Sequence, residues 1–299
     1  MERVIEEIKY EKRVVAFIDI LGFKDIIKTS ESNPAKLNLI YESLLFLKNR
    51  EKPEEWNLQL IEIEEYAQKR GLAKFNIADK TSCTCFSDSI VISVQIEEEN
   101  INEIISTLIT NLSFIGAKLM TDGILFRGAI TIGNIIHKDN GLVIGQALID
   151  AYQLELSVAK NPRIILSKNL LEKLNYPIET NKDRFPYHQY LSRFDDGCVG
   201  FHQMIYFQVL QSWTEMEISE LKSELKKVKQ AIIDGLDSSF EFSDIHSKFK
   251  WLKAEYEKLI ILENGVKEKI HELNDGIAGQ NIHYSYTDNF YYPKKSKKV

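Results

Sequence analysis

The chain has 299 residues and a formal net charge of −6, with 44% hydrophobic and 27% charged residues. This length allows one large domain, or one medium domain with an appendage. The acidic balance argues against a broad nucleic-acid footprint, which needs a basic face. Three cysteines are too few for a disulfide framework. Because Met1–Glu11 is charged and no apolar run approaches the roughly 18 residues of a membrane span, we expect neither a signal peptide nor a membrane anchor, and we place the protein in the cytoplasm.

Strand and helix patterns are interleaved along the first two thirds of the chain. The apolar run 13–20 predicts a buried strand, and 49–78 predicts a charged surface insertion. A β-hairpin is predicted at 81–96, with Ser-Asp-Ser at its turn. Further strands are predicted at 125–137, 163–167 and 202–210. Helices are predicted at 24–30, 35–48, 100–119, 142–160 (after an initial turn) and 168–174. Strands mixed with helices around one sheet indicate an α/β sandwich with helices on one face.

The composition changes after Trp213, where apolar residues recur every three or four positions from Ile218 to Ile232. This spacing fits an ordinary amphipathic helix and an intermolecular coiled coil equally well. A second helix is predicted at about 245–265, followed by a basic tail. We therefore divide the chain into a domain at 1–210 and a helical C-terminal extension at 211–299.

Two aspartates interrupt otherwise apolar strands. Asp19 lies within VVAFIDILGF, and Asp88 lies within CFSDSIVIS. Burying an unpaired carboxylate is costly, so two such residues at strand ends indicate a pair that binds a hard cation such as Mg²⁺. Gly22 permits a tight turn after Asp19, and the backbone N–H groups of the helix that follows can bind a triphosphate. The alternative is that both aspartates are structural caps.

These motifs resemble those of the class III nucleotidyl cyclase family over residues 13–210. The family's F-x-D-I-x-G-F is matched by 17–23, and its hairpin Gly-Asp by Ser87–Asp88. Its R-x-x-I-x-x-G is matched by 127–133, and its G-x-x-V-N-x-A-x-R-L-E helix by 145–155. The resemblance implies a mixed, mainly antiparallel sheet with helices, and 1–210 as the catalytic domain.

The departures from the family pattern fall on the residues that select a purine base. The family's purine-selecting Lys falls on Thr84 and its purine-selecting Asp near Leu142. Its transition-state Asn and Arg fall on Ile149 and Gln153. The sequence keeps the metal-binding positions and differs at the base-selecting positions. In this combination it resembles the pyrimidine cyclases of bacterial Pycsar antiphage systems. Two further segments share that resemblance: 151–155 followed by Pro-Arg-Ile at 162–164, and Lys248–Leu252.

The resemblance implies cyclisation of UTP or CTP to cyclic UMP or cyclic CMP and pyrophosphate, with UTP favoured over CTP. It implies two Mn²⁺ or Mg²⁺ ions per site and a homodimer with active sites at its interface. Neither a nucleic acid nor a membrane is an expected partner. The implied catalytic residues are Asp19, Asp88 and Arg127. The implied metal ligands are Asp19, Ile20 and Asp88. The implied substrate contacts are Ile20, Leu21, Gly22, Phe23, Thr84 and Tyr152.

Several alternatives stay open from the residues alone. Arg127 can bind a triphosphate or pair with a surface carboxylate, and Tyr152 can approach the base or nucleophile or simply pack its helix. His137 is interpreted as a loop residue without a ligand partner. A palm-type polymerase or dinucleotide cyclase would use the same metal chemistry, although Phe-Ser-Asp-Ser lacks the second acid of its usual turn. A non-catalytic nucleotide sensor on the same fold is the third class.

Overall fold

The computed structural model describes residues 8–49, 80–97, 101–138, 140–176, 191–207 and 222–259. The predicted insertion at 49–78 lies outside these residues except for Asn49. The basic tail and the start of the C-terminal helical pattern, with Ile218 and Leu221, also lie outside them.

The described strands form one mixed sheet of eight strands in the order β2-β3-β1-β4-β6-β8-β7, with β5 paired to β4. Neighbours run antiparallel except β4 and β6, which are parallel. The predicted α/β class with a mainly antiparallel sheet is therefore confirmed. The strands are β1 Glu11–Leu21, β2 Thr81–Phe86, β3 Ser89–Gln95, β4 Leu125–His137, β5 Val143–Ile144, β6 Arg163–Leu166, β7 Ser192–Arg193 and β8 Val199–His202.

The helices pack mainly on one face of this sheet. They are α1 Phe23–Ser30, α2 Pro34–Asn49, α3 Ile101–Met120, α4 Gln146–Val158, α5 Lys168–Lys173, α6 Lys222–Ser238 and α7 Ser243–Leu259. α3 is long and apolar enough to cross a membrane by composition, but 67% of that window is buried inside the structure. This burial identifies α3 as the central core helix.

The two faces of β1 have different surroundings because side chains alternate along a strand. Val14, Ala16, Ile18 and Ile20 belong to the main core, together with most of α3. Val15 and Phe17 point the other way into a small second core, which Ala147 and Ala151 of α4 complete. Asp19 shares this second face. One side of the sheet is therefore thickly covered, and the other is covered mainly by α4.

The predicted strand at 202–210 is wrong at 203–207, and 208–210 lie outside the described residues. β8 ends at His202, and a turn leads into a helical segment at 205–207. The Gln203 side chain ends the strand by donating to the Gly116 carbonyl at 2.9 Å and accepting from the Phe126 N–H at 3.0 Å. The following apolar residues, including Tyr206, are buried against α3. A short apolar run of this kind does not distinguish a strand from a buried helical turn.

The C-terminal helices pack on their own domain. Leu225, Val228 and Ile232 of α6 belong to the main core, and Lys118 of α3 forms a 2.8 Å ion pair with Glu224. Of the two structures considered for the apolar spacing, the described part is therefore an ordinary amphipathic helix.

Candidate active site

Asp19 lies near the end of β1, a central strand that pairs with both β3 and β4. Its Cα lies opposite Ser89 on one side and Arg127 on the other. Residues directly opposed across antiparallel strands point to the same face, with Cβ atoms about 5 Å apart. This register sets Arg127 beside the Asp19 carboxylate, although 108 residues separate them in the chain.

Asp88 reaches the same edge through the turn between β2 and β3. Its backbone carbonyl accepts a 2.9 Å hydrogen bond from the Ile20 N–H, which fixes the turn against the end of β1. Ser87 before it has φ 56°, a left-handed conformation that non-glycine residues rarely adopt. The negative charge of Asp88 contributes to a raised pKa at Asp19. The predicted carboxylate pair is thus brought together.

Arg127 lies between two carboxylates. Its Nε is 3.3 Å from Asp19 Oδ2 and 2.5 Å from Oε1 of Glu155 on α4. The Asp19 and Arg127 side chains are about one-fifth exposed, whereas Glu155 is 2% exposed. The structure thus pairs Arg127 with carboxylates, but Glu155 is buried rather than a surface group, and binding of a triphosphate by Arg127 stays a prediction. Its carboxylate partners are at the site itself.

Burial raises the pKa of both carboxyl groups that Arg127 contacts. Burial raises the pKa of Glu155 to about 7; the Arg127 charge opposes this shift, and the charges of Asp19 and Asp88 add to it. Burial likewise raises the pKa of Asp19, which Arg127 lowers in part and Asp88 raises further. Arg127 contacts two carboxyl groups and Asp88 adds a third beside them, so carboxyl groups outnumber the guanidinium at this site. Such a site attracts a further cation.

The donor set fits a hard divalent cation. Asp19 and Asp88 supply carboxylate oxygens at one edge, which suits Mg²⁺ or Mn²⁺. Within the described ranges, no group of three or more His, Cys, Asp or Glu side chains is placed to hold a metal. An ion bound here would therefore take its remaining ligands from backbone oxygen, water or a bound phosphate, as Mg²⁺ commonly does.

The turn after Asp19 leads directly into a helix N-terminus. Gly22 has φ 69° and precedes α1, and its carbonyl accepts hydrogen bonds from the N–H groups of Asp25 and Ile26. An added Cβ at Gly22 would meet nothing within 4 Å, so its backbone conformation, rather than crowding, requires glycine. The first N–H groups of a helix lack intrahelical acceptors and favour an anion.

The side chains predicted around this turn face the protein interior. Ile20 belongs to the main core, and Leu21 and Phe23 pack against it. Any contact of these three residues with substrate or metal would therefore be made through their backbone. Phe23 anchors the start of α1.

Thr84 lies two strands away from Asp19 on the same face of the sheet, because its Cα is opposite Val91, which is opposite Phe17. Its hydroxyl lies 2.9 Å from Nε2 of His137. His137 is the last residue of β4 and is 4% exposed, so its interpretation as a loop residue is wrong. Leu142, in the turn that follows, is exposed.

Tyr152 packs on the small core and stays half-exposed. Its ring meets the edge of Phe17 at 5.4 Å between centroids. Tyr152 therefore packs its helix against the sheet, as one of the two alternatives predicted, and 45% of the residue remains accessible. Ile149 and Leu156 are also exposed on α4. The spacing of these three residues places them in one stripe along the helix.

The C-terminal helix α7 contributes charge near the site. Lys248 lowers the pKa of Asp19, although it is the smallest of the effects on that group. α7 is held at this end of the sheet by Trp251, whose ring meets the edge of His202 and lies 6.0 Å from the Arg163 guanidinium. Burial lowers the pKa of His202 to about 4, so this contact is between neutral rings near neutral pH.

Glu155 lies in the motif at 145–155, but the sequence alone does not assign it to the site. A usable signal was present, since Glu155 follows Ala147 and Ala151 at intervals of four on the buried face of α4. A glutamate in an otherwise small, apolar helix face indicates a specific buried partner. That partner, Arg127, was identifiable only from the sheet register.

No family model matches the sequence, and no curated protein matches it either. One similar solved structure is the monomeric guanylyl cyclase domain of the RhoGC fusion protein from the aquatic fungus Blastocladiella emersonii. It is 13% identical with a TM-score of 0.33, and the match covers 64% of this chain and 95% of that chain. An adenylate/guanylate cyclase/hydrolase from Silicibacter pomeroyi is 13% identical with a TM-score of 0.31, covering 64% and 95%.

A class III adenylyl cyclase-like ATP-binding protein from Pseudomonas aeruginosa is 10% identical with a TM-score of 0.35, covering 77% of this chain and 44% of that chain. At these identities and TM-scores, the activity of this chain has to be argued from its own residues.

Proposed function

We propose that the chain is a class III nucleotidyl cyclase, a phosphorus-oxygen lyase that converts a pyrimidine nucleoside triphosphate into a cyclic nucleotide and pyrophosphate. The main support is the carboxylate pair Asp19 and Asp88. The pair lies at one end of the central strands, beside the N-terminus of α1. A metal-binding carboxylate pair next to an anion-binding helix end suits a metal-bound triphosphate. The sequence motifs around both residues support the same family.

The reaction needs no protein nucleophile. The 3′-hydroxyl of the substrate attacks the α-phosphate, the new O3′–P bond forms, and the bond to pyrophosphate breaks. Two Mg²⁺ or Mn²⁺ ions, when bound, lower the pKa of the hydroxyl and neutralise the triphosphate. Asp19 and Asp88 hold the ions, and the N–H groups at the start of α1 hold the phosphates. Glu155 keeps Arg127 beside the reacting phosphate, where its fixed charge stabilises the developing negative charge.

The proposed preference for a pyrimidine base follows from the side chains at the two base-contacting positions. Thr84 is short and neutral, and Leu142 is apolar. Neither supplies the charged partners with which purine cyclases of this family read their base. A bound purine would leave polar edge atoms unpaired, which is penalised. UTP or CTP is therefore the proposed substrate, and cyclic UMP or cyclic CMP the product, made as a second messenger in antiphage defence.

A homodimer is proposed because the two halves of the site are separated within one chain. Asp19 is on β1 and Thr84 is two strands away on β2. A second copy that covers this face would set Thr84 of one protomer against the metal site of its partner. The exposed stripe of Ile149, Tyr152 and Leu156 supplies apolar surface for this contact. A cytoplasmic location, with no nucleic-acid or membrane partner, is proposed with it.

The proposed domain division keeps 1–210 as the catalytic part and 211–299 as the helical extension. Because α6 shares the main core and α7 brings Lys248 near Asp19, we infer that the extension supports the catalytic part directly.

The test is direct. The purified full chain is incubated separately with each of the four nucleoside triphosphates and Mn²⁺, and the products are identified by mass. A cyclic pyrimidine mononucleotide, formed at least about tenfold faster than any purine product, is expected, corresponding to roughly 1.4 kcal/mol of discrimination. Dinucleotide products would identify a dinucleotide cyclase instead, and unaltered substrates a binding protein. Glu172→Gln, which changes an exposed carboxylate in α5, is the matched control.

A further inference from the structure

A buried polar cluster lies beside Thr84 on the open face of the sheet. Arg13 Nη1 is 3.2 Å from both Ser82 Oγ and Ser93 Oγ. Ser93 Oγ is 2.9 Å from Nδ1 of His137, and Nε2 of His137 is 2.9 Å from Thr84 Oγ1. Hydrogen bonds therefore link a buried guanidinium to the half-exposed Thr84 hydroxyl through Ser93 and His137.

The direction of each hydrogen bond in this chain follows from counting donors. Arginine has only donors, so Ser93 Oγ accepts from Arg13. Among the described residues, the structure gives Ser93 Oγ two side-chain partners, Arg13 and His137 Nδ1. The Ser93 hydroxyl hydrogen must then go to Nδ1, because a buried donor left without an acceptor costs about 1–3 kcal/mol.

This accounting fixes the tautomer of His137. With Nδ1 as an acceptor, the neutral imidazole carries its hydrogen on Nε2 and donates it to Thr84 Oγ1. A second positive charge on the ring, close to buried Arg13, would be costly. The hydroxyl hydrogen of Thr84 is therefore not used within the cluster. It stays available to a ligand, and the positive end of the chain polarises it towards donation.

We propose that His137 is a positioning residue that holds Thr84 as a hydrogen-bond donor, so that the site prefers uracil to cytosine. This inference rests on the proposed function, in which Thr84 faces the base. Uracil carries an acceptor oxygen at C4, whereas cytosine carries an amino donor there. A donor hydroxyl satisfies the uracil oxygen and opposes the cytosine amino group. With the other tautomer, Thr84 would have given its hydrogen to His137 and would read cytosine.

The first measurement is independent of catalysis. Nitrogen-15 NMR of histidine-labelled protein distinguishes Nε2–H from Nδ1–H and from the charged ring, and His137→Gln assigns the signal among the six histidines. The proposal requires the Nε2–H tautomer for His137. An Nδ1–H tautomer or a charged ring at neutral pH overturns it, whatever the enzyme turns over.

The second measurement is the ratio of kcat/KM for UTP to kcat/KM for CTP. We expect about tenfold in the wild type, retained by Thr84→Ser, because one neutral hydrogen bond contributes about this much. The ratio should fall to within about threefold in Thr84→Val and in Ser93→Ala, which frees the tautomer of His137. Ser113→Ala is the buried-serine control, because the Ser113 hydroxyl bonds only to the Thr110 carbonyl in its own helix among the described contacts.

The outcomes separate this inference from the proposed function. No turnover of any nucleotide removes the proposed function and the base preference, while the NMR result alone decides the hydrogen-bond chain. Pyrimidine turnover with an unchanged ratio in Thr84→Val overturns the inference and leaves the cyclase standing. If Ser93→Ala fails to fold, the tautomer and the pair Thr84→Val and Thr84→Ser decide the matter.

Discussion

Arg127 and Asp19 occupy directly opposed positions on β4 and β1, and Arg127 Nε lies 3.3 Å from Asp19 Oδ2. The pairing neutralises part of a carboxylate that burial disfavours as a charged group. It also holds Arg127 beside the proposed metal-binding carboxylates. The two residues are therefore coupled through charge before any ligand binds.

Removing either member of the carboxylate pair should abolish product formation without unfolding the protein. We expect Asp19→Asn and Asp88→Asn each to lower the rate of cyclic nucleotide formation by at least about a hundredfold, because each removes a charged metal ligand. Asp19→Asn should melt no lower than the wild type, because burial disfavours the Asp19 charge more than Arg127 favours it, and Arg127 keeps Glu155 as its partner. Rates and thermal melts are compared with those of Glu172→Gln. Near-native turnover by either variant would remove the two-metal assignment.

Glu155 should make the stability of the protein depend on pH. Its pKa is raised from 4.5 to about 7 on folding, so the native state holds its proton more tightly than the unfolded state. As pH rises through this window, the unfolded chain ionises first and the free energy of unfolding falls. Glu155→Gln should remove on the order of 1 to 3 kcal/mol of that fall between pH 4.5 and pH 8.

Urea denaturation at a series of pH values measures this difference. Glu172→Gln serves as the control, because Glu172 lies on the surface and pairs only with exposed Lys168 among the described contacts. Parallel pH curves for wild type and Glu155→Gln would show that Glu155 does not titrate in this range.

Divalent cations should stabilise the folded protein through the same carboxylates. A ligand that binds only the native state raises the free energy of unfolding, so Mn²⁺ should raise the melting temperature. The shift should be larger at pH 8 than at pH 6, because the raised pKa values of Asp19 and Glu155 make protons compete with the ion. Asp88→Asn should lose the shift. An equal Mn²⁺ effect in that variant would locate the ion elsewhere.

Two inactive variants should restore activity when mixed, if each site uses two chains. Asp19→Asn damages the metal half, and Thr84→Lys obstructs the base half. Random exchange makes about half of the dimers mixed, with one intact site of two, so about one quarter of wild-type activity is expected. Ile149→Glu, which places a charge in the exposed stripe of α4, should yield an inactive monomer by light scattering. A fully active monomer would refute the shared site.

Local chemistry explains why part of the fold was predictable from the sequence. The β2–β3 hairpin is marked by its Ser-Asp-Ser turn, and α3 by its apolar periodicity. The first strand was equally predictable, because its apolar pattern is a property of neighbouring residues. The turn at Gly22 was predictable because a positive φ favours glycine locally.

The side-chain partners could not be predicted because they depend on strand register. Glu155 meets Arg127, and His137 meets Thr84 across 53 positions, only after β4 has aligned with its neighbours. A one-residue shift of β4 would send its residues Arg127 and His137 to the opposite face of the sheet. The end of β8 was missed for a related reason, because Gln203 stops the strand through bonds to residues of α3 and β4.

The central position of β1 has a consequence for synthesis of the chain. β1 precedes both of its sheet neighbours, β3 and β4, along the chain, and Arg127 on β4 follows Asp19 by 108 residues. Until those strands have been made, the apolar segment around Val15 lacks its strand partners, and long-range pairing of this kind forms slowly. A charge within such a segment disfavours aggregation of nascent chains. Asp19 places such a charge near the end of β1.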